Sequence, residues 1–484
     1  MRRERPEPPR KVVVIGAGIT GLVAARELVR RGEREGRPVE VVVLEASPRI
    51  GGKVRSESVG GAVVETGPDS FVTLKPEMLD LVRELGLEGE LIGTSPDAGV
   101  SVLTGGRLRP LPAGMRLITP TKLLPFLFSP LFSARAKLRM ALEPLIPPRR
   151  DDDDESLADF TRRRLGAEAL DVLVAPMLAG IFAGDAEKMS VRSTFPQLLE
   201  LEKRGGLARA LWTGGGRRAA ARPGITTFMT LKGGLSRAIE ALAKSLPAGS
   251  VRVDCPAQAV RRRGGRWEVV TPRGVFDADA VVAAAPAPAL ADAVEGLDFE
   301  LAERLRGIPF VSTATTTLIY GASAFPRPPR GFGFLVARGE EAAITAATYS
   351  SSKFPARAPS GKVVVRAFVG GAGREAEAEA AVTRIEDRAR RDLSRALGLG
   401  DAVPEAAKTA RWLKANPQYD VGHAQRLERL ASCLRGHPGL VLAGCSYFGV
   451  GLPDCVRSGL RAAERALGGR RGRNRHEPLP AGLA

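Results

Sequence analysis

The chain has 484 residues, 44% apolar and 26% charged, with a formal charge of +18. That length suggests two or three domains with sizeable cores, and the composition excludes wholesale disorder. The charge favours anionic partners, yet the basic residues are scattered along the chain and aromatics make up only 5%, so no nucleic-acid-binding stripe is expected.

The start, MRRERPEPPRK, is basic but runs straight into an apolar segment without a hydrophobic signal core, so secretion is not expected. Residues 11–15, KVVVI, predict a short strand that feeds into Gly16-Ala17-Gly18-Ile19-Thr20-Gly21 and the helix-like LVAARELVRRG. This is G-x-G-x-x-G in its required strand-to-helix context. Gly16 permits a tight turn, Gly18 lets a pyrophosphate approach the backbone, and Gly21 lets the helix pack on the strand, with the phosphate on the helix amino terminus. A second strand, VEVVVLEA, ends in Glu45 and Ala46, where a carboxylate can accept hydrogen bonds from a ribose diol.

These features leave NAD and FAD undecided. The run Arg49-Ile50-Gly51-Gly52-Lys53, then Ser56, then Glu65-Thr66-Gly67-Pro68-Asp69, adds a second glycine pair after the ribose acid. A second backbone approach suits an extended dinucleotide, so the prediction is non-covalent FAD.

From Leu117 to Pro148 the chain is apolar but is cut by Pro120, Pro125 and Pro130 and carries Lys122, Arg135, Lys137 and Arg139. No run reaches 18 apolar residues, so a spanning helix is not expected. The mixture of apolar and cationic side chains suits peripheral contact with an anionic membrane, although the same residues could pack on the domain or line a substrate entrance. DDDDE at 151–155 reads as a solvated loop, with Ser156 and Asp159 capping the helix after it. Further on, KGGLSRAIEALAKSL predicts an amphipathic helix, and WEVVTPRGVFDADAVVAAAP predicts a hairpin before a buried strand.

Near the end, GLVLAG predicts a strand, Cys445 to Asp454 a glycine-rich turn, and Val456 to Leu467 a helix. Such a unit can aim backbone N–H groups and a helix dipole at the electron-rich N1/C2=O edge of a flavin. Cys255, Cys433, Cys445 and Cys455 lack metal-ligand spacing and read as reduced thiols of a cytosolic protein; no metal is expected. Histidines occur only at 423, 437 and 476, so no acid/base residue is assigned.

GAGITGL, LEASPRIGGKVRS, VVETGPDSF, GIFAGDAEKMSVRSTFPQL, NPQYDVGH and AGCSYFGVGLPDCVRSG together resemble the protoporphyrinogen oxidases of the amine-oxidase-like flavoprotein superfamily. The resemblance runs in order along nearly the whole chain. It implies an α/β fold: a Rossmann-like, glutathione-reductase-type FAD domain (10–85, 220–290 and 405–470), a mixed-sheet substrate domain (86–114 and 290–405) and a helical membrane-associating domain (115–215); the basic, Pro-containing composition of 471–484 reads as a disordered tail. It implies FAD contacts at Gly16 to Gly21, Glu45, Lys53, Gly67 to Ser70, Ala257, and Val450, Gly451 and Leu452, with Trp412 a further candidate.

The implied activity is removal of hydride from a porphyrinogen to flavin N5, three times over, with dioxygen as acceptor and hydrogen peroxide as product. Protoporphyrinogen IX is favoured. Coproporphyrinogen III and a flavin amine oxidase are the alternatives, and a flavin-binding non-enzyme is a further one. The implied slot residues are Met177, Phe332, Leu335 and Phe368, with Phe334 and Gly180 nearby. One departure stands out: where animal-type members carry a propionate-gripping arginine, this chain has Val100. Lys75 is the expected substitute, with Arg107, Arg109 and Arg192 as further candidates. The expected setting is cytoplasmic, peripheral on the inner membrane's cytoplasmic face; a homodimer stays open.

Overall fold

The computed structural model describes residues 8–96, 99–116, 119–120, 123–207, 209 and 224–468. A five-stranded parallel sheet is assembled from both ends and the middle of the chain, in the order Val251–Arg252, Val39–Leu44, Arg10–Ile15, Ala280–Ala283, Leu440–Leu442. Its strands are apolar on both faces because both are covered. Val12 and Val14 pack with the helices Ile19–Arg34, Ser236–Lys244 and Leu452–Ala466. Val13 and Ile15 point the other way, toward Trp267 of the antiparallel meander Ala259–Arg263, Arg266–Thr271, Gly274–Ala278 and toward Leu290 and Leu305.

A seven-stranded mixed sheet forms the second layer, in the order Ala406–Pro417, Phe310–Gly321, Lys362–Gly370, Ile344–Tyr349, Gly333–Val336, Val100–Thr104, Arg107–Pro110. In Lys362–Gly370 the side chains alternate between faces. Val363, Val365, Ala367 and Val369 pack with Ile385, Ala389 and Leu393 of the helix Val382–Leu397. Val364, Arg366 and Phe368 take the opposite face, where Val364 meets Ala62 and Val64 of the hairpin Ser56–Val59/Ala62–Glu65.

Two expected boundaries move. The strand Ala406–Pro417 lies in the mixed sheet, paired along Phe310–Gly321, so that sheet extends to 417 and not to 405. The helices Ala287–Val294 and Phe299–Arg306 pack on the parallel sheet's core, which carries the FAD-type unit to about Ile308 and not 290. In both cases the partners are remote in sequence, and local pattern does not reveal them.

The expected helical region contains Ala134–Ala141, Leu157–Arg164, a π-helical turn Leu170–Val174 running into Ala175–Phe182, Val191–Thr194 and Pro196–Lys203. Buried Arg164 pairs with buried Glu143, which also accepts from the Leu207 amide at 2.9 Å. Ser156 caps its helix, its Oγ accepting from the Asp159 amide at 3.0 Å. The acidic run is more than a solvated loop. Glu155 pairs with Arg163 at 2.6 Å, and Asp154 accepts from Ser190 Oγ at 2.9 Å. No helix among the described residues is long and apolar enough to cross a membrane. The tail 471–484, and His476 within it, lie outside the described residues.

Candidate active site

The two glycine motifs predicted to hold a dinucleotide touch each other. Gly16 (φ 102°) donates its N–H to the Leu44 carbonyl at 2.7 Å, and the Gly51 N–H reaches the Ala17 carbonyl at 2.8 Å. A Cβ added at Gly21 would lie 1.9 Å from the Gly16 carbonyl oxygen, which is why the helix can approach only as glycine. At Gly18 a Cβ would meet nothing within 4 Å, leaving an open cradle at the amino terminus of Ile19–Arg34, a helix that includes Ile19 and Thr20. Gly52 stands at the same place, its Cβ position 3.4 Å from Gly18 Cα.

Glu45 follows the strand Val39–Leu44 directly, accepting from the Ala17 amide at 2.8 Å and from the Ser47 amide and hydroxyl at 2.9 and 2.7 Å. The segment carrying Ala257 runs beside it, the Cys255 amide donating to the Glu45 carbonyl at 2.8 Å. Ala46 is exposed at this edge, and Arg49 curls back to the Gly52 carbonyl at 2.8 Å. At the other end, Gly451 caps the helix Leu452–Ala466 with Val450 half-buried before it.

Gly67 lies against the second glycine motif: a Cβ at Gly67 would fall 1.8 Å from the Lys53 carbonyl oxygen. Three donors converge on the peptide before Gly67. Trp412 Nε1, Thr315 Oγ1 and Arg366 Nη2 reach the Thr66 carbonyl at 2.7, 3.0 and 3.3 Å, and Arg366 Nη2 also reaches the Gly67 carbonyl at 2.5 Å. Asp69 pairs with Lys353 at 3.0 Å and accepts from Ser70 Oγ at 2.6 Å. Burial opposes its charge, but Lys353 and Arg366 hold the carboxyl well below the usual carboxylate range. Glu65 joins three segments, accepting from Arg357 Nη2 at 2.7 Å, the Leu235 amide at 2.8 Å and Ser56 Oγ at 2.7 Å. Burial nonetheless raises its pKa.

The apolar candidates divide. Gly180 in Ala175–Phe182 packs on the mixed sheet: its Cβ would lie 3.2 Å from Leu335 Cδ2 and 3.7 Å from Ala346 Cβ. Met177 precedes it by one helical turn on the same side. Ala346 pairs with Phe368, whose ring lies 4.9 Å beneath the Arg366 guanidinium. Met177, Gly180, Leu335 and Phe368 are all half-buried. Phe332 is half-buried too, edge-on to Phe228 at 6.3 Å and 5.9 Å from Lys353 Nζ. Phe334 departs from this set. It is 2% exposed and points through the sheet to Tyr349 in the core behind it, because the strand alternation sends it opposite to Leu335.

Val100 pairs with Gly333 in the strand beside Leu335, so the missing arginine's position carries an apolar side chain next to the slot. Lys75 is held by Asp454 at 2.8 and 2.9 Å. Arg109 donates to the Pro130 carbonyl and Arg192 to the Asp152 carbonyl, while Arg107 is exposed at a sheet edge. Lys353, Arg357 and Arg366, the cations nearest the Gly67–Ser70 segment, escape sequence reasoning. Their one signal is Arg366 interrupting the apolar strand KVVVRAFVG.

His423 is stacked on Tyr419 at 4.1 Å with Nε2 3.3 Å from the Tyr447 carbonyl oxygen, and His437 Nε2 lies 2.8 Å from Asp298. Both are committed within the parallel-sheet domain.

The paired glycine cradle, the ribose carboxylate and the terminal helix fit FAD. The sequence matches the flavin containing amine oxidoreductases over residues 19–467, and the chain belongs to that family of FAD enzymes. Among relatives, it is 35% identical to coproporphyrinogen III oxidase of Bacillus subtilis (strain 168), over 94% of this chain and 97% of that one. It is 34% identical to protoporphyrinogen oxidase of Homo sapiens, over 95% and 98%. A crystal structure from Exiguobacterium sp. 255-15, provisionally named protoporphyrinogen oxidase, superposes with TM-score 0.83 at 32% identity, covering 94% of this chain and 98% of that one. Putrescine oxidase bound to putrescine shares the fold, with TM-score 0.69 at 17% identity over 95% and 99%.

Proposed function

We propose that the chain oxidises a porphyrinogen to a porphyrin in haem biosynthesis, and that protoporphyrinogen IX is its substrate. The observation that carries this reading is the half-buried apolar strip of Met177, Gly180, Leu335 and Phe368. It abuts Arg366, which grips the Gly67 carbonyl of the proposed flavin segment. FAD, when bound, supplies a hydride acceptor at N5 and returns its electrons to dioxygen as hydrogen peroxide.

The chain's own residues bind, orient and exclude water. Gly18 and Gly52 would leave room for the pyrophosphate, and Glu45 would accept from the ribose. Arg366, Thr315 and Trp412 fix the Gly67–Ser70 segment. The apolar strip supplies a dry surface for a flat macrocycle, and its ordering of the reacting carbon is the main contribution to rate. No side-chain base is assigned. A porphyrinogen loses N–H protons once its bridge carbon becomes cationic, and both described histidines are tied to other partners.

Coproporphyrinogen III is the second reading. It is supported by bacterial relatives of that name, including the 35% identical Bacillus subtilis enzyme. Initial rates of porphyrin formation on both substrates decide between them; a faster rate on the tetracarboxylate overturns the first choice. A peripheral membrane attachment rests on Leu124, Phe128, Leu138 and Leu145, which are 68%, 83%, 63% and 77% exposed beside Arg135 and Lys137. Flotation with anionic liposomes tests it, and failure to float removes it.

A further inference from the structure

A turn of residues 444–449 leads from the strand Leu440–Leu442 toward the helix Leu452–Ala466, and its shape is set by side chains outside the dinucleotide motifs. The turn borders both glycine motifs. A Cβ at Gly444 would lie 3.8 Å from Thr20 Oγ1, and Cys445 Sγ is 3.4 Å from Lys53 Nζ. Just beyond it, the amides of Val450, Gly451 and Leu452 have no acceptor among the described residues, as at any helix start that no side chain caps. They are the donors on hand for an acceptor in the cradle.

Tyr419 holds this turn at both ends. It is 3% exposed, and its hydroxyl donates to the Cys445 carbonyl at 2.6 Å while accepting from the Gly449 amide at 2.9 Å. The ring stacks on His423 with centroids 4.1 Å apart, and His423 Nε2 lies 3.3 Å from the Tyr447 carbonyl oxygen. Ser458 Oγ accepts from the Gly444 amide at 2.8 Å, and Ser446 Oγ from the Ala287 amide at 3.1 Å. Tyr419 follows the strand Ala406–Pro417, whose Ala415 carbonyl takes the Lys53 ammonium at 2.7 Å and whose Trp412 grips the Thr66 carbonyl. One stretch of chain therefore reaches the second glycine motif, the Gly67 segment and the terminal turn.

We propose that Tyr419 is a positioning residue for the flavin: by spanning Cys445 and Gly449, its hydroxyl fixes where the Val450–Leu452 amides point. Those amides and the helix start behind them face the flavin N1/C2=O edge. Donors already aimed at developing charge need no reorganisation when it appears. That edge is more negative in reduced than in oxidised flavin, so misaligned donors destabilise the reduced form more and the reduction potential falls. The proposal rests on FAD occupying this cradle and is independent of which substrate is oxidised.

The test is the reduction potential of the holoenzyme, read against a reference dye during slow anaerobic reduction with no tetrapyrrole present. Tyr419→Phe keeps the stacked ring and removes one oxygen. It should retain FAD with a potential lower by about 30 mV, which is a tenfold loss of preference for reduced over oxidised flavin in a two-electron couple. Ser458→Ala, which frees the Gly444 amide, should shift the potential the same way. Leu305→Ala opens a cavity in the same core, on the helix Phe299–Arg306, and makes no hydrogen bond to the turn; it should lower Tm and leave the potential in place. A wild-type potential in Tyr419→Phe overturns the proposal, as does an equal fall in Leu305→Ala, which would make the effect one of general loosening. If Tyr419→Phe holds no FAD, Ser458→Ala decides, and an unchanged potential there overturns the proposal. Failure to oxidise porphyrinogens leaves these results intact, whereas a wild type that binds no FAD defeats the cofactor reading and this proposal together before any variant is measured.

Discussion

Two glycines of one turn should respond to alanine in opposite ways. At Gly18 the backbone has φ −70° and ψ 174°, which alanine adopts freely, and the added methyl meets no protein atom within 4 Å. Gly18→Ala therefore leaves the apoprotein folded, and removing glycine's unfolded-state freedom stabilises it by about 0.4–1 kcal/mol. The same methyl occupies the space a pyrophosphate needs. Crowding of that kind costs about 1–3 kcal/mol, which corresponds to FAD binding weakened about 5- to 150-fold. Gly21→Ala is the reverse case. Its Cβ would lie 1.9 Å from the Gly16 carbonyl oxygen, so the helix must move off the strand and the fold itself loses about 1–3 kcal/mol. Flavin fluorescence titration and thermal unfolding of the apoproteins separate the two effects. A Gly18→Ala variant that binds FAD like the wild type would refute placing the pyrophosphate over this turn.

Other outcomes follow from the same geometry. Arg366→Met leaves the Gly67 carbonyl without its donor and Asp69 facing Lys353 alone, so urea unfolding should show a loss of about 2–4 kcal/mol; an unchanged midpoint contradicts the role given to Arg366. Burial lowers the His423 pKa to about 4, so an unfolded chain, titrating near 6.5, binds a proton first; stability should be fully present above pH 6.5 and fall as pH drops toward 4. In His423→Phe that part of the acid limb should flatten, and identical Tm profiles for the two proteins would exclude it. Because Asp454 already holds Lys75, Lys75→Ala should leave KM for porphyrinogen unchanged, and a raised KM would make Lys75 a carboxylate anchor after all. Val100→Arg puts a guanidinium beside Leu335 and should lower KM for protoporphyrinogen IX about tenfold, the worth of one charge-assisted hydrogen bond; no change would show that the substrate's carboxylates lie elsewhere.

The cofactor half of the site was readable from sequence because its chemistry is local. Gly16, Gly18 and Gly21 act through one turn, and Glu45 follows its strand directly. That Gly52 would stand against Gly18, and Gly67 against the Lys53 carbonyl, is consistent with the order of the motifs but needs the fold to be seen. The buried cations were illegible for a different reason: Lys353 and Arg357 find Asp69 and Glu65 across sequence separations of 284 and 292 residues. Phe334 shows the limit of proximity in sequence, since one step along a strand sends it from the slot side to the core side. Strand Ala406–Pro417 falls within the range expected for the FAD domain, and only its ladder with Phe310–Gly321 reveals its place in the mixed sheet. Lys75 is the expected substitute for the missing arginine, yet Asp454, brought in by the terminal helix, already holds it.

On the proposed reading, a flavin in this cradle takes electrons from a reduced tetrapyrrole laid on the Leu335–Phe368 strip. Anaerobic mixing of the yellow holoenzyme with protoporphyrinogen IX or coproporphyrinogen III tests it most directly. The flavin absorbance should bleach with one of them as porphyrin fluorescence rises, and air should restore it. A flavin that stays oxidised with both tetrapyrroles and bleaches with spermidine would contradict it.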